Sequence, residues 1–277
     1  MMETRIPGDP VRVERMNTSE LRQSYLLEGL FAPGEVRLFY VETDRAVVGS
    51  AVPVGGELVL AASKELASGY FTERREVGVL NLGAAGTIIV DGHEFPIGPR
   101  DGLYISRGSR DVRFRSENAA EPAQYYIVSY PAHAAHPTTL ARQADAESMH
   151  LGSGAASNDR TIHKYIHAGG VRSCQLVMGI TSLAEGSVWN TMPCHTHARR
   201  SEIYLYFDLK ADGFVVHLMG QPQETRHLIV RDRQAVVSPP WSIHSACGTS
   251  SYSFAWAMGG ENQEFTDMDA VATKDVR

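Results

Sequence analysis

Apolar positions recur with period two through most of the chain, in short runs that Gly, Pro and Asp interrupt. A strand sends successive side chains to opposite faces, so such runs predict strands packed on one face or on both. Thr87-Ile88-Ile89-Val90 and His93-Glu94-Phe95-Pro96-Ile97 flank Asp91-Gly92, a dipeptide suited to a two-residue hairpin turn. Further along, Glu202, Tyr204 and Tyr206 share one strand face and Ile203, Leu205 and Phe207 the other. Helical periodicity is legible near the start. Asn17 is placed to cap, Glu20 completes a capping box, Leu21, Tyr25 and Leu26 form the apolar stripe, and Gly29 is the stop signal. Many short strands with turn signals at near-regular spacing indicate a β-sandwich or barrel.

From Pro131 to about Arg160 the periodicity fades into Ala, His, Thr, Ser and Gly, which reads as a link between halves. The halves echo each other. Gly98-Pro99-Arg100-Asp101-Gly102-Leu103-Tyr104-Ile105 resembles Val230-Arg231-Asp232-Arg233-Gln234-Ala235-Val236-Val237, and Glu73-Arg74-Arg75-Glu76-Val77 resembles Arg199-Arg200-Ser201-Glu202-Ile203. The expectation is an all-β chain with a short N-terminal helix and a repeated barrel, divided as residues 1–140 and 141–277.

Composition narrows the classes. A net charge of -6 argues against a nucleic-acid partner, which requires a basic surface. No stretch approaches the roughly 20 apolar residues of a membrane-spanning helix, and the N-terminus lacks the apolar core of a secretory signal. Cys174, Cys194 and Cys247 are odd in number and widely spaced, which fits reduced thiols in a cytoplasm.

Candidate chemistry concentrates in Pro193-Cys194-His195-Thr196-His197-Ala198-Arg199-Arg200-Ser201-Glu202, read with Pro239-Pro240-Trp241-Ser242-Ile243-His244. His195 and His197, two apart on a strand, leave the same face. Glu202 opens the next strand, and His244 arrives from a Pro-rich corner. Three imidazoles and a carboxylate make a full set of ligands for a divalent metal, here His195, His197, Glu202 and His244. Alternation turns Cys194 to the opposite face, where it packs. The first half offers only Tyr70, Phe71 and Thr72 at the equivalent place, so it is expected to lack metal ligands and the chain to hold one ion.

His-x-His-x4-Glu followed by a distant Pro-x-x-x-x-His resembles the two metal motifs of the cupin superfamily, with Trp241 where the general pattern has Gly. A resemblance covering nearly the whole chain is to the 5-keto-4-deoxyuronate isomerases, also called 4-deoxy-L-threo-5-hexosulose-uronate ketol-isomerases. It rests on Trp189–His197, Met219–His227 and Trp241–Ser245, with Phe71–Glu76, Gly83–Ile88 and Gly260–Gln263 in support. It implies a bicupin of two double-stranded β-helix (jelly-roll) barrels, Zn2+ on His195, His197, Glu202 and His244, a homo-hexamer, and a place in pectin breakdown.

The reaction so implied converts 5-dehydro-4-deoxy-D-glucuronate to 3-deoxy-D-glycero-2,5-hexodiulosonate through an enediol. It requires an electrophile for the enediolate and a base to move the proton. The base stays open among Glu224, His227, Tyr204 and Tyr206, and the partner of the substrate carboxylate among Arg199, Arg200 and Arg226. The ligand set accepts iron, manganese or nickel as well as zinc. Alternatives are a sister isomerase acting on 5-deoxyglucuronate, an iron-dependent cupin oxygenase, and a sugar-binding cupin without turnover.

Overall fold

A computed structural model describes residues 2–277. The chain forms two compact units. One comprises Gly29–Glu147 and Tyr165–Val177 with the residues up to Thr4; the other comprises Arg5–Glu28, Ser148–Lys164 and Met178–Arg277.

Each unit is built on a seven-stranded and a four-stranded sheet. In the first unit, the strand Arg75–Asn81 lies between Gly102–Ile105 and Tyr125–Pro131, antiparallel to both. Val77, Val79, Leu103, Ile105 and Ile127 meet Ile88, Val90 and Phe114 of the four-stranded sheet in one apolar core. The predicted hairpin is present: Gly86–Val90 pairs with His93–Ile97. Asp91 and Gly92 take φ of 49° and 83°, the left-handed values that such a turn requires.

The second unit repeats the order. Arg200–Phe207 lies between Gln234–Ser238 and Ser253–Gly260. Its four-stranded sheet is formed by Trp189–Asn190, Ser245–Gly248, Val215–Gln221 and Glu224–Val230. Equivalent hydrogen bonds fix the register of the repeat. Arg100 N–H donates to Asn81 O and Arg233 N–H to Tyr206 O, both at 2.7 Å, and both arginines have φ near 60°. Val77 pairs with Ile105, and Glu202 pairs with Ser238. Counting along the strands, Val77 stands at the position of Glu202 and Arg100 at that of Arg233. The sequence echo, which set Glu76 against Glu202, is one residue out of step.

The capping box is as expected: Asn17 Oδ1 accepts from Glu20 N–H at 3.1 Å, and Glu20 Oε2 accepts from Asn17 N–H at 2.8 Å. Leu21 and Tyr25 are the buried face of the helix Thr18–Tyr25. Leu26 is not part of it. It turns to an extended backbone, and Leu26–Leu27 pairs with Ala235–Val236 as the edge of the second unit's large sheet. A one-turn helix, Pro10–Val13, capped by Asp9, precedes it. Arg226 holds this N-terminal segment by donating to the carbonyls of Val13, Glu14 and Met16.

The stretch 131–160, read as a link, carries edge strands. Thr139–Ala141 extends the first large sheet and Glu147–Leu151 lies at the edge of the second. Edge strands this short pair on one side only, which leaves little periodicity to read.

Candidate metal centre

Three segments bring four side chains together. His195 and His197 come from the two-residue strand His195–Thr196 and the turn after it, Glu202 from the central strand Arg200–Phe207, and His244 from the corner before Ser245–Gly248. The corner is shaped by Ser242, whose N–H donates to Pro239 O while its hydroxyl accepts from Gly220 N–H. One nitrogen or oxygen from each of His195, His197, Glu202 and His244 lies within 4.8 Å of the others. The Nε2 atoms of His195 and His197 are 3.1 Å apart, as are those of His195 and His244. Glu202 Oε2 is 3.1 Å from His197 Nε2 and 2.9 Å from His244 Nε2.

No arrangement of protons satisfies this convergence, because three ring nitrogens point at one another around a single carboxylate oxygen. A cation at the centre does. Ligand bonds of about 2.0–2.1 Å in a tetrahedron place the donors about 3.3 Å apart, close to the separations here. Among the described residues, no other group of three or more His, Cys, Asp or Glu side chains meets this way. Cys194 is buried and lies outside the cluster; its carbonyl accepts from Val271 N–H.

The electrostatics suit a ligand set. Burial, then the charge on His244, pushes the His195 pKa down to about 3, so its ring is neutral with a free lone pair. Burial pushes His197 down too, but its hydrogen bond and charge interaction with Glu202 prevail and the net shift is upward. For Glu202 burial alone favours the acid; the charges and hydrogen bonds of His244 and His197 outweigh it and hold the carboxyl well below its usual range.

The C-terminal segment completes the site. Asp269–Ala270 pairs with His195–Thr196, and Asp267 O accepts from His197 Nδ1 at 2.7 Å. With Nδ1–H so engaged, Nε2 faces the cluster as an acceptor. Arg200 Nη2, 3.2 Å from His197 Nδ1, then meets a donor there, and its hydrogen bond goes to Asp267 O at 3.0 Å. The Asp267 carboxylate is gripped by Arg199 and by Asn262 Nδ2.

A cavity of about 250 Å³ opens beside His195, His197 and Glu202. Tyr204 lines it, 3.1 Å from Thr191 Oγ1, and burial raises its pKa so that the phenol stays protonated. The other residues considered as a base lie elsewhere. Tyr206 is buried against His217 Nδ1 at 2.7 Å, and Glu224 and His227 are exposed on the small sheet. None of Arg199, Arg200 and Arg226 lines the cavity; Arg160 does. Phe265 and Met268 of the C-terminal segment form part of its wall. Arg160, Asp267, Phe265 and Met268 are among the site residues that sequence reasoning missed. No local motif marks them.

Known proteins fit this picture. The model of the KduI/IolB family matches residues 28–274. A 4-deoxy-L-threo-5-hexosulose-uronate ketol-isomerase from Halalkalibacterium halodurans is 52% identical over 276 residues and all of both chains. Among solved structures, an IolB-like protein from Salmonella typhimurium superposes with a TM-score of 0.71 at 14% identity, covering 87% of this chain and 94% of that one. A variant of Bacillus subtilis oxalate decarboxylase does so with a TM-score of 0.56 at 8% identity, over 79% and 70%. These structural likenesses carry the all-β, cupin-like fold, and the family match spans nearly the whole sequence. The chain belongs to the KduI/IolB family.

Proposed function

We propose that this protein is a metal-dependent ketol-isomerase, an intramolecular oxidoreductase converting 5-dehydro-4-deoxy-D-glucuronate to 3-deoxy-D-glycero-2,5-hexodiulosonate in the breakdown of pectin. The observation that carries the reading is the coincidence of one cluster, His195, His197, Glu202 and His244, with full-length relatives of that name at about half identity. In this reading the four residues hold one Zn2+ per chain. When bound, the ion would withdraw charge from the C1 and C2 oxygens as a Lewis acid, and no net electron transfer is required.

The chain's own residues do the rest. Imidazoles held neutral by burial present lone pairs without first losing a proton, as His195 does. Tyr204, protonated and facing the cavity, offers a hydrogen bond to an oxygen that gains charge in the enediolate. Aromatic and aliphatic side chains wall the cavity beside the cluster. Among the residues that line the cavity, Glu202 is the one carboxylate, and it belongs to the ligand set.

The first barrel is a scaffold in this proposal, with Tyr70, Thr72 and Val77 at the positions of His195, His197 and Glu202 and no ion of its own. A homo-hexamer in the cytoplasm belongs to the same reading. Among the described residues no helix is long and apolar enough to cross a membrane.

The test is an anaerobic assay on the keto-uronate. Turnover that a chelator abolishes and zinc restores, with solvent deuterium appearing at the hydroxymethyl carbon of the product (its C6, the former aldehyde C1 of the substrate), is expected. Turnover that fails without oxygen and appears, with oxygen uptake, only when air is admitted would sink the isomerase and favour an oxygenase.

A further inference from the structure

The cavity beside the cluster is walled chiefly by apolar and aromatic side chains, among them Ile162, Phe254, Trp256, Met258, Phe265 and Met268. Arg160 is the one cationic side chain that lines it. It opens the strand Arg160–Ile166 and is half-buried. One arm is fixed: Nη1 donates to Asn158 O at 2.8 Å. No carboxylate among the described residues pairs with the guanidinium, and burial depresses its pKa. The adjacent Asp159 does not pair with Arg160; its Oδ1 faces His150 Nε2 at 3.1 Å.

A guanidinium taken partly out of water without a counter-anion is costly, and an anionic ligand offsets that cost. Its planar fork suits a carboxylate, which it binds through two parallel hydrogen bonds. None of the arginines that sequence alone brings forward lines the cavity. Arg199 grips Asp267, Arg200 is buried behind His197 and bonds Asp267 O, and Arg226 binds the N-terminal carbonyls.

We propose that Arg160 receives the carboxylate of the uronate and so selects acids over neutral sugars, while the carbonyl end faces His195, His197 and Glu202. The assignment rests on the isomerase reading and adds to it the residue that orients the substrate. Arg160 acts in binding and does no proton transfer.

The test compares the keto-uronate with its carboxamide on wild type, Arg160→Gln and Arg160→Lys, each checked for wild-type metal content. Wild type should lose roughly tenfold to a hundredfold in kcat/KM on the amide, mostly through KM, since a charged hydrogen bond is lost. Arg160→Gln should show a similar loss on the acid and no remaining preference between the two compounds. Arg160→Lys, which keeps the charge but not the fork, should fall between, and carries the comparison if the Gln variant does not fold. A variant that still prefers the acid as strongly as wild type overturns the assignment. If wild type turns over neither compound, the isomerase reading fails on its own. Arg160 is then read by calorimetric titration of the metal-loaded protein with glucuronate and glucuronamide. A preference for the acid that Arg160→Gln abolishes upholds the carboxylate site; no such preference in wild type overturns it.

Discussion

Asp267→Ala should weaken metal binding although it alters none of the four clustered side chains. In the wild type, Asp267 O fixes His197 through Nδ1 at 2.7 Å, and the Asp267 carboxylate is itself fixed by Asn262 Nδ2 at 2.6 Å and Arg199 Nε at 3.1 Å. Arg199, with Asn262 next, holds that carboxyl well below its usual range, so it is a charged anchor at working pH. Removing it frees the segment to move and His197 to swing. Partners of this kind typically govern metal affinity by about 10- to 100-fold. The expected loss lies nearer the lower figure, because the backbone anchors survive: Asp267 N–H still donates to Glu264 O, and Asp269–Ala270 still pairs with His195–Thr196. Arg199→Ala should cost less, about threefold or under, since its side chain is 47% exposed and Asn262 remains. Competition against a calibrated chelator measures each affinity, with Glu264→Ala as a control in the same segment. Wild-type affinity in Asp267→Ala would refute the reasoning, as would an Arg199→Ala loss equal to that of a ligand substitution.

His197→Ala and His244→Ala should each lose bound metal and isomerase activity yet still fold; full metal content in His244→Ala by elemental analysis would remove it from the ligand set. Metal titration of the wild type should saturate at one ion per chain, and a second equivalent released by mutation near Glu76 would contradict the scaffold reading of the first barrel. The metal-free protein should lose stability on acidification below about pH 6.5, the ordinary histidine value. Burial holds both His195 and His217 at about 3, so between those values the unfolded chain takes up protons that the folded one refuses, and stability falls with pH. His197, shifted upward, opposes this with one group against two. Denaturant midpoints at pH 7.5, 6 and 5 check the sign; a midpoint that rises towards pH 5 contradicts it, and His217→Phe should flatten the dependence.

Three members of the His/Glu cluster, His195, His197 and Glu202, were legible because they lie within eight residues of one another, and His244, 49 residues from His195, because a Pro-rich corner marks it. Alternation alone puts His195 and His197 on one side, and Tyr204 follows Glu202 on the same strand face, where it lines the cavity. The hairpin at Asp91-Gly92 and the capping box at Asn17 were legible for the same reason: each is a contact over a few residues. Arg160 and Asp267 were not, because what gives them meaning is long-range. Arg160 sits at the end of a stretch with no periodicity, and only the sheet carries it to the cavity wall. Asp267 acts on His197 from 70 residues away.

The one-residue slip in the sequence echo shows how little separates a ligand from a structural carboxylate. Shifting a strand by one residue sends every side chain to the other face. Val77 and Val79 face the first unit's apolar core, so Glu76 leaves the opposite face. There its two oxygens accept from the N–H groups of Cys174, Gln175 and Leu176 at 2.6, 2.8 and 2.8 Å and from Tyr104 OH at 2.8 Å. A carboxylate with four donors already on it gains little from a cation. A metal site in the first barrel would thus require an acid at Val77 as well as imidazoles at Tyr70 and Thr72. Glu76, the residue that looks like the ligand in the sequence, would stay where it is, tying the segment 174–176 to the back of the sheet.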